Sequence, residues 1–248
     1  MTIFIAIILG IIQGLTEFLP VSSSGHLLLF EKLFGIEGDN LAFNIVAHMG
    51  TLLAVIICYR KKLVSMIKKP FSKPVCLLVV ASVPTVIIYF AFKSFFERAF
   101  VGEFIGICFF VTAIFLIIST VALKNNGKEE LSYKTAFIMG TFQGFAILPG
   151  ISRSGTTLTA GLIAGADKES VADFSFLMSL PIIVGSLVLE IFSGGFVSVD
   201  IFPLIAGFIS SFICGYLAIK FMLNVVKNKS FIPFVIYLVG VGIYSFFV

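Results

Sequence analysis

Residues 10–26 read GIIQGLTEFLPVSSSGH, and this stretch decides the fold. Its first half is an apolar helical sequence that nevertheless carries Glu17. The helix is broken at Pro20, and three serines, a glycine and His26 follow at once. Proline interrupts a helix, whereas serine is favoured where a helix begins. The stretch therefore predicts two short helices joined by a sharp turn, with a carboxylate and an imidazole at the turn.

The composition predicts an integral membrane protein. Hydrophobic residues occupy 59% of the 248 positions, and charged residues occupy only 12%. A soluble domain carries roughly 25% charged residues. Most of the surface must therefore contact lipid. The net charge of +4 is a matter of loop placement and does not indicate a nucleic-acid partner.

A second version of the broken helix lies about 130 residues further along the chain. Residues 140–157 read GTFQGFAILPGISRSGTT. The Gln-Gly pair and the Ser-x-Ser-Gly run recur at matching positions and the proline nearly so, but the charged residue at this break is Arg153. We therefore predict one membrane domain, 1–248, made of two repeats at approximately 1–123 and 132–248.

Each repeat is predicted to contain one re-entrant hairpin and three spans, because a spanning helix needs about 20 residues. The first arm of each hairpin is also long enough to span by itself. An odd number of crossings inverts the second repeat relative to the first. The fold class is thus an all-α polytopic membrane protein with an inverted-topology repeat, six spanning helices and two re-entrant helical hairpins. The expected hairpins are 3–19/23–36 and 132–148/152–165, and the expected spans are 41–59, 75–92, 103–123, 170–192, 201–223 and 231–248.

The basic residues predict the orientation. On this topology thirteen of the 17 Lys and Arg residues lie on one side, three lie on the other, and Arg153 lies at a break. The positive-inside rule places the side with thirteen in the cytoplasm and both termini outside. The thirteen are Arg60, Lys61, Lys62, Lys68, Lys69, Lys73, Lys124, Lys128, Lys134, Lys168, Lys220, Lys227 and Lys229.

The first break offers groups for acid–base chemistry. A charged side chain costs roughly 2.5–3.5 kcal/mol within a bilayer on insertion scales, so Glu17 is a functional candidate, with Gln13 on the same helix face. The serines at 22–24 start a helix whose N–H groups can bind an anion. Attack on phosphorus by Ser23, His26 or a water is one interpretation. The alternative is that the serines only cap the helix and His26 is a packed core residue.

The second break offers a cation for the same ligand. The planar guanidinium of Arg153 suits phosphate oxygens, and Thr157 lies one turn later on the same face. The alternative is an ion pair between Arg153 and Glu17 that only locks the repeats together, and both interpretations can hold in the resting state. His48 is expected to be a core histidine whose hydrogen bonds are satisfied. The residues expected to contact the substrate are Gln13, Ser22, Ser24, Ser152, Ser154, Thr156 and Thr157.

The two breaks resemble the two motifs of the undecaprenyl-diphosphate phosphatase family, also known for bacitracin resistance. QGLTEFLPVSSSGH resembles that family's (E/Q)-x-x-x-E motif with its Ser/His continuation, and PGISRSGTT resembles its P-G-x-S-R-S-x-x-T motif. The resemblance implies hydrolysis of undecaprenyl (C55) diphosphate to undecaprenyl phosphate and phosphate, for recycling of the carrier lipid in cell-wall synthesis. It also implies that Glu17, His26, Ser23 and Arg153 are the catalytic residues.

The resemblance further implies a divalent cation, Mg²⁺ or Ca²⁺, with Glu17 as a ligand. Gln13 stands where other members have a second carboxylate. We therefore expect the metal to be bound mainly by oxygen atoms of the diphosphate. The implied location is the bacterial plasma (inner) membrane, with an isoprenyl diphosphate lipid bound at the outer side. Whether the protein forms a homodimer is an open question at this point. The alternatives are a transporter or flippase of isoprenyl phosphate lipid, which the inverted repeat equally suits, and a structural protein without substrate.

Overall fold

The computed structural model describes residues 1–36, 40–100, 102, 104–123, 129–192, 200–228 and 230–248, with the backbone alone at 189–192 and 228. Eleven helices and no named strand are present within these ranges. Lys124, Lys128 and Lys229, which entered the charge argument, lie outside them. The helices are α1 (Ile3–Phe18), α2 (Ser23–Leu33), α3 (Leu41–Lys68), α4 (Lys73–Ala91), α5 (Lys93–Ala99), α6 (Ile105–Ala122), α7 (Tyr133–Phe145), α8 (Arg153–Ile163), α9 (Lys168–Phe192), α10 (Ile201–Asn228) and α11 (Ile232–Tyr244).

Five helices of the described chain are long and apolar enough to cross a membrane, namely α3, α4, α6, α9 and α10. The chain is therefore a polytopic α-helical membrane protein, as its composition predicts. The sixth expected span, 231–248, forms the 13-residue helix α11. At 1.5 Å per residue this helix is about 20 Å long, which is less than the roughly 30 Å of a hydrocarbon core. An apolar run in the sequence does not show where the hydrogen-bonded helix stops, and here it stops at Tyr244.

Both predicted breaks are real, and a serine begins the second helix of each. α1 ends at Phe18, and the Ser22 hydroxyl accepts a hydrogen bond from the Gly25 N–H at 3.4 Å to start α2. In the second copy the Ser152 hydroxyl accepts from the Gly155 N–H at 3.1 Å to start α8. These caps satisfy N–H groups that have no partner in the first turn of a helix.

Helix α1 packs along α10 through small residues. A Cβ atom added at Gly10 would lie 2.0 Å from the Ser210 hydroxyl oxygen, and one added at Gly14 would lie 2.5 Å from the Ser211 carbonyl oxygen. The contacts advance in the same direction along both chains, so the two helices are parallel. Glycine allows this close approach of the two backbones, as is common in membrane helices. Glu17, near the end of α1, is thereby placed beside the middle of α10.

Helix α7 packs along α4 in the same manner. A Cβ atom at Gly140 would lie 2.0 Å from the Ala81 carbonyl oxygen, and one at Gly144 would lie 2.6 Å from Ile88. The Thr85 hydroxyl donates a hydrogen bond to the Gly140 carbonyl at 2.8 Å. These two helices are also parallel.

Basic residues gather at one end of the bundle, which we call the basic end. Lys62 pairs with Asp173, which joins the C-terminal end of α3 to the beginning of α9. Lys227 pairs with Glu169 at 3.1 Å, which brings the C-terminal end of α10 to the same place. Helix α4 also starts there, because it follows α3 after a short turn. Helix α1 therefore points towards the basic end, and α7 points away from it.

The α7–α4 contact leads to a test of packing. We expect Gly140→Ala to destabilise the protein by about 1–3 kcal/mol, because the new methyl group would overlap the Ala81 backbone. Gly240→Ala is the matched control, since a Cβ atom at this position of α11 meets no atom within 4 Å. Thermal unfolding in detergent should lower Tm for the first variant alone, and equal Tm values for both would contradict the close approach.

Candidate functional site

An ion pair joins the two breaks inside the protein. The Glu17 Oε1 atom accepts a hydrogen bond from the Arg153 Nη2 atom at 2.7 Å. The Glu17 and Arg153 side chains are 6% and 13% exposed, respectively. Glu17 lies one residue before the end of α1, and Arg153 is the first residue of α8, so each charge lies where a helix is interrupted. The two breaks thus meet, as the sequence predicts.

The second carboxylate oxygen of Glu17 is bound from two other directions. The Ser23 hydroxyl donates to Oε2 at 2.6 Å, and the Gln13 Nε2 amide donates to it at 3.0 Å. A separation of 2.6 Å is typical of a hydroxyl bound to a charged carboxylate. The hydroxyl proton of Ser23 is therefore directed at a base, which is the arrangement that activates a serine for attack.

His48 belongs to the same cluster, although the sequence predicted only a core residue. Its Nε2 atom lies 3.7 Å from the Glu17 Oε2 atom, and its side chain is 31% exposed. Its Nδ1 atom lies 2.7 Å from the Asn44 carbonyl oxygen. A carbonyl only accepts, so Nδ1 carries a proton and Nε2 is left to exchange one with the cluster. The rule that polar residues in a span are functional candidates, which selected Glu17, also applies to His48.

His26 is placed differently from the other predicted catalytic residues. Its Nδ1 atom lies 2.7 Å from the Ser22 carbonyl oxygen, and its Nε2 atom lies 2.8 Å from the Tyr237 hydroxyl. The ring is 1% exposed and is stacked on Tyr237. The structure therefore does not bring His26 to Ser23 or Glu17. The reason is a partner on α11, more than 200 residues away, that helix spacing near the break does not reveal.

Arg153 and Thr157 share a partner on α9, as their spacing of one turn would allow. The Arg153 Nη1 atom donates to the Ser175 carbonyl at 3.3 Å, and the Thr157 and Ser175 hydroxyl oxygens are 2.6 Å apart. Thr157 is fully buried. Ser175 was not predicted, because it lies in an ordinary apolar span. These contacts orient the guanidinium towards Glu17.

Most of the remaining predicted residues hold the two breaks against each other. The Ser22 hydroxyl accepts from the Gly150 N–H at 3.1 Å, and the Ser154 hydroxyl donates to the Leu19 carbonyl at 3.1 Å. Ser24 lies 3.5 Å from Ser22, and Ser152 lies 3.2 Å from Ser154, hydroxyl to hydroxyl. The Thr156 hydroxyl is buried without a hydrogen-bond partner in the structure. In this state the serines connect backbone to backbone across the site.

The residues present do not form a resident site for the divalent cation that the family resemblance implies. Mg²⁺ and Ca²⁺ prefer several oxygen ligands, usually including carboxylates. Among the described residues, no group of three or more His, Cys, Asp or Glu side chains is suitable for a metal. Both oxygens of Glu17 are already bonded, and Arg153 repels a cation there. The Gln13 Oε1 atom is buried and unpartnered, but it is a single neutral ligand.

Known proteins resemble this chain over nearly its whole length. The family described as "Bacitracin resistance protein BacA" matches residues 6–244, which include both breaks. "Undecaprenyl-diphosphatase" of Carboxydothermus hydrogenoformans is 41% identical over 98% of this chain and 97% of that protein. "Undecaprenyl-diphosphatase 4" of Bacillus thuringiensis subsp. konkukian is 46% identical over 96% of this chain and 94% of that protein. "Undecaprenyl-diphosphatase" of Bacteroides fragilis is 41% identical over 97% of this chain and 96% of that protein.

The buried ion pair leads to a test of coupling. We expect Arg153→Met to destabilise the protein by about 3–5 kcal/mol, because it leaves the Glu17 carboxylate buried and unpaired. The double variant Glu17→Leu/Arg153→Met should recover a large part of that loss, since neither charge is then left alone. Tm in detergent measures both effects.

The control for this test is Lys93→Gln, which removes an exposed pair with Glu97. Its cost should stay below about 1 kcal/mol. Strictly additive losses in the double variant at 17 and 153 would show that the two side chains do not interact.

Proposed function

The chain belongs to the bacitracin resistance protein BacA family, and we propose that its reaction takes place at the cluster of Glu17, Arg153 and Ser23. The protein is a membrane phosphatase that hydrolyses undecaprenyl diphosphate to undecaprenyl phosphate and phosphate. This activity regenerates the carrier lipid of cell-wall synthesis. The observation that carries the location is a carboxylate, a guanidinium and a hydroxyl held together at two helix breaks inside a membrane protein. A transporter of isoprenyl phosphate lipid is not favoured, because the relatives are named as phosphatases.

We propose that Arg153 binds the diphosphate. A diphosphate carries a charge of about −3, and the guanidinium can donate two parallel hydrogen bonds to its oxygens. Arg153 is also the first residue of α8, where the helix dipole favours an anion. When the lipid binds, the phosphates replace Glu17 as partner of the guanidinium. Arg153 then stabilises the charge that develops during transfer.

We propose that Ser23 attacks the terminal phosphorus and that Glu17 takes its proton. The bond from Ser23 Oγ to phosphorus forms, the anhydride P–O bond breaks, and undecaprenyl phosphate leaves with the electron pair of that bond. A water then attacks the phosphoserine and releases inorganic phosphate and the free hydroxyl. The 2.6 Å hydrogen bond from Ser23 to Glu17 supports Ser23 over a water as the first nucleophile.

We propose that His48 moves the proton in the second half of the reaction. Its Nε2 atom faces the same carboxylate oxygen as the Ser23 hydroxyl, and its exposure gives it access to water. His48 can therefore take the proton from Glu17 and release it to solvent. Its Nε2 atom is then free to accept a proton from the attacking water. His26 then has a positioning role, since it ties the beginning of α2 to Tyr237.

We propose that the two repeats, 1–123 and 132–248, form an inverted pair. Helix α1 of the first repeat packs on α10 of the second, and α7 of the second repeat packs on α4 of the first. Because α1 corresponds to α7 and α4 to α10, the two contacts are equivalent. A Cβ atom at Gly25 would meet Gly150, and one at Gly155 would meet Pro20, which are also equivalent contacts. Helices α6 and α11 pack on each other, and α11 is proposed as the sixth crossing.

The helix pairs α1–α2 and α7–α8 are then re-entrant from opposite sides. By the positive-inside rule the basic end faces the cytoplasm, and we propose that the lipid enters from the outer side of the plasma membrane. We also propose that Mg²⁺ or Ca²⁺ is held mainly by the diphosphate oxygens, because the protein offers one carboxylate and one free amide oxygen.

The location of the reaction is tested with purified protein in detergent and a C55 or C15 isoprenyl diphosphate. Wild type should release phosphate, whereas Arg153→Ala and Ser23→Ala should each lose at least about 100-fold in kcat. Ser186→Ala is the control, since among the described residues its hydroxyl bonds within its own helix alone, to the Ile182 carbonyl. Acid quenching of wild type with substrate labelled in the terminal phosphate should trap label on Ser23. Full release by Arg153→Ala would refute the site, and Ser23→Ala at wild-type rate would refute the nucleophile.

A second set of variants distinguishes the proposed roles of His48 and His26. His48→Gln should lower kcat by about 100-fold and leave Tm unchanged. His26→Gln should instead lower Tm, because it removes the hydrogen bond and ring packing of the buried His26 side chain with Tyr237, and Tyr237→Phe should also lower Tm because it leaves the His26 Nε2 atom without a partner. A His48→Gln enzyme with the kcat of wild type would exclude the proton-transfer role.

A further inference from the structure

A second polar site lies at the basic end, away from the reaction. A cleft of about 520 Å³ opens between α3, α9 and α10 and is lined by charged and aromatic side chains. Its lining residues on α3 begin at Ile57 and include Arg60, which lies about 18 Å along the helix from His48. The proposed mechanism does not use any of these residues.

The residues that line the cleft carry more positive than negative charge. Asp173 is the one carboxylate among its lining residues, and its two oxygens are bound by Tyr59, at 2.9 Å, and by Lys62. Arg60, Lys61 and Lys220 also line it. Within the described residues, the side chains of Arg60 and Lys61 make no ion pair or hydrogen bond. In the part of the chain that the structure describes, Arg60, Lys61 and Lys220 therefore have no carboxylate partner.

Lys220 is exposed, and its ammonium group points back along α10 over one wall of the cleft. Its Nζ atom lies 4.2 Å from the centre of the Tyr216 ring, one helical turn further from the basic end. A lysine near the end of a span usually extends towards water. The opposite orientation holds the ammonium group over an aromatic face, beside Cys58 of α3. An anion in the cleft would meet this group at once.

An apolar stripe also lies along α10, on the helix face next to the one that lines the cleft. Ile213, Leu217 and Phe221 are spaced four residues apart and are 50%, 57% and 50% exposed. Residues with this spacing lie on one helix face. The stripe offers an acyl chain a path that starts beside Lys220. A soluble anion would not need such a surface.

We propose that this cleft binds the phosphate headgroup of an anionic glycerophospholipid from the leaflet at the basic end. The phosphate lies between Arg60, Lys61 and Lys220, and an acyl chain lies along the α10 stripe. Basic pockets between membrane helices bind lipid headgroups by this combination of charge and apolar contact. The site is independent of the phosphatase reaction, so each can fail without the other.

Native mass spectrometry of the full-length protein in detergent tests the site by titration with phosphatidylglycerol. The triple variant Arg60→Gln/Lys61→Gln/Lys220→Gln should bind this lipid at least about tenfold more weakly than wild type. The matched control is Lys68→Gln/Lys69→Gln/Lys134→Gln, which removes three charges from the same end but none from the cleft. The control should bind like wild type, and phosphatidylcholine with the same acyl chains should bind to none of the three with comparable affinity.

Each other outcome overturns the assignment. Equal losses in both triple variants would show attraction to the whole basic end rather than to the cleft. Equal binding of phosphatidylcholine would remove the charge requirement. Displacement of the lipid by millimolar inorganic phosphate would identify a site for soluble anions. Phosphate release and Tm without added lipid show that each variant is folded. If the cleft triple variant does not fold, Lys220→Gln against Lys68→Gln makes the same comparison.

Discussion

The structure depends on keeping two opposite charges away from water and lipid at one point. Neither Glu17 nor Arg153 could be buried alone, because an unpaired charge in a membrane protein is costly. They pair at 2.7 Å only because two helices are interrupted at the same place. The interruptions in turn need partners for their exposed backbone groups, and the serines supply these. The ion pair, the two breaks and the crossed serine contacts therefore form one interdependent unit.

Close helix packing supports that unit from outside. Glycines on α1 and α7 let these short helices lie against the longer α10 and α4. These contacts place Glu17 beside the middle of α10 rather than beside either of its ends. The proposed reacting groups are thus held on a rigid frame, which positions them better than a loop would.

Much of this arrangement could be predicted from the sequence, because broken helices leave local signs. Pro20, the serine caps and the recurrence after about 130 residues identified both breaks and the pair of Glu17 with Arg153. The sequence did not reveal contacts that depend on packing between distant helices. His26 is bound by Tyr237, and His48 lies near Glu17, although spacing near the break favoured His26. The predicted length of the last helix, α11, was also wrong, since composition alone does not determine where a helix ends.

The pairing of Glu17 with Arg153 also has a consequence for selectivity. Before a lipid arrives, the cluster supplies its own counter-ion and has almost no net attraction for a singly charged headgroup. On the proposed mechanism a diphosphate, with its larger charge, displaces the internal carboxylate, whereas the headgroup of a singly charged phospholipid would not. On the same proposal, the monophosphate that remains after cleavage carries less charge, and Glu17 can pair with the guanidinium again. The ion pair would then both select for a diphosphate and favour release of the product.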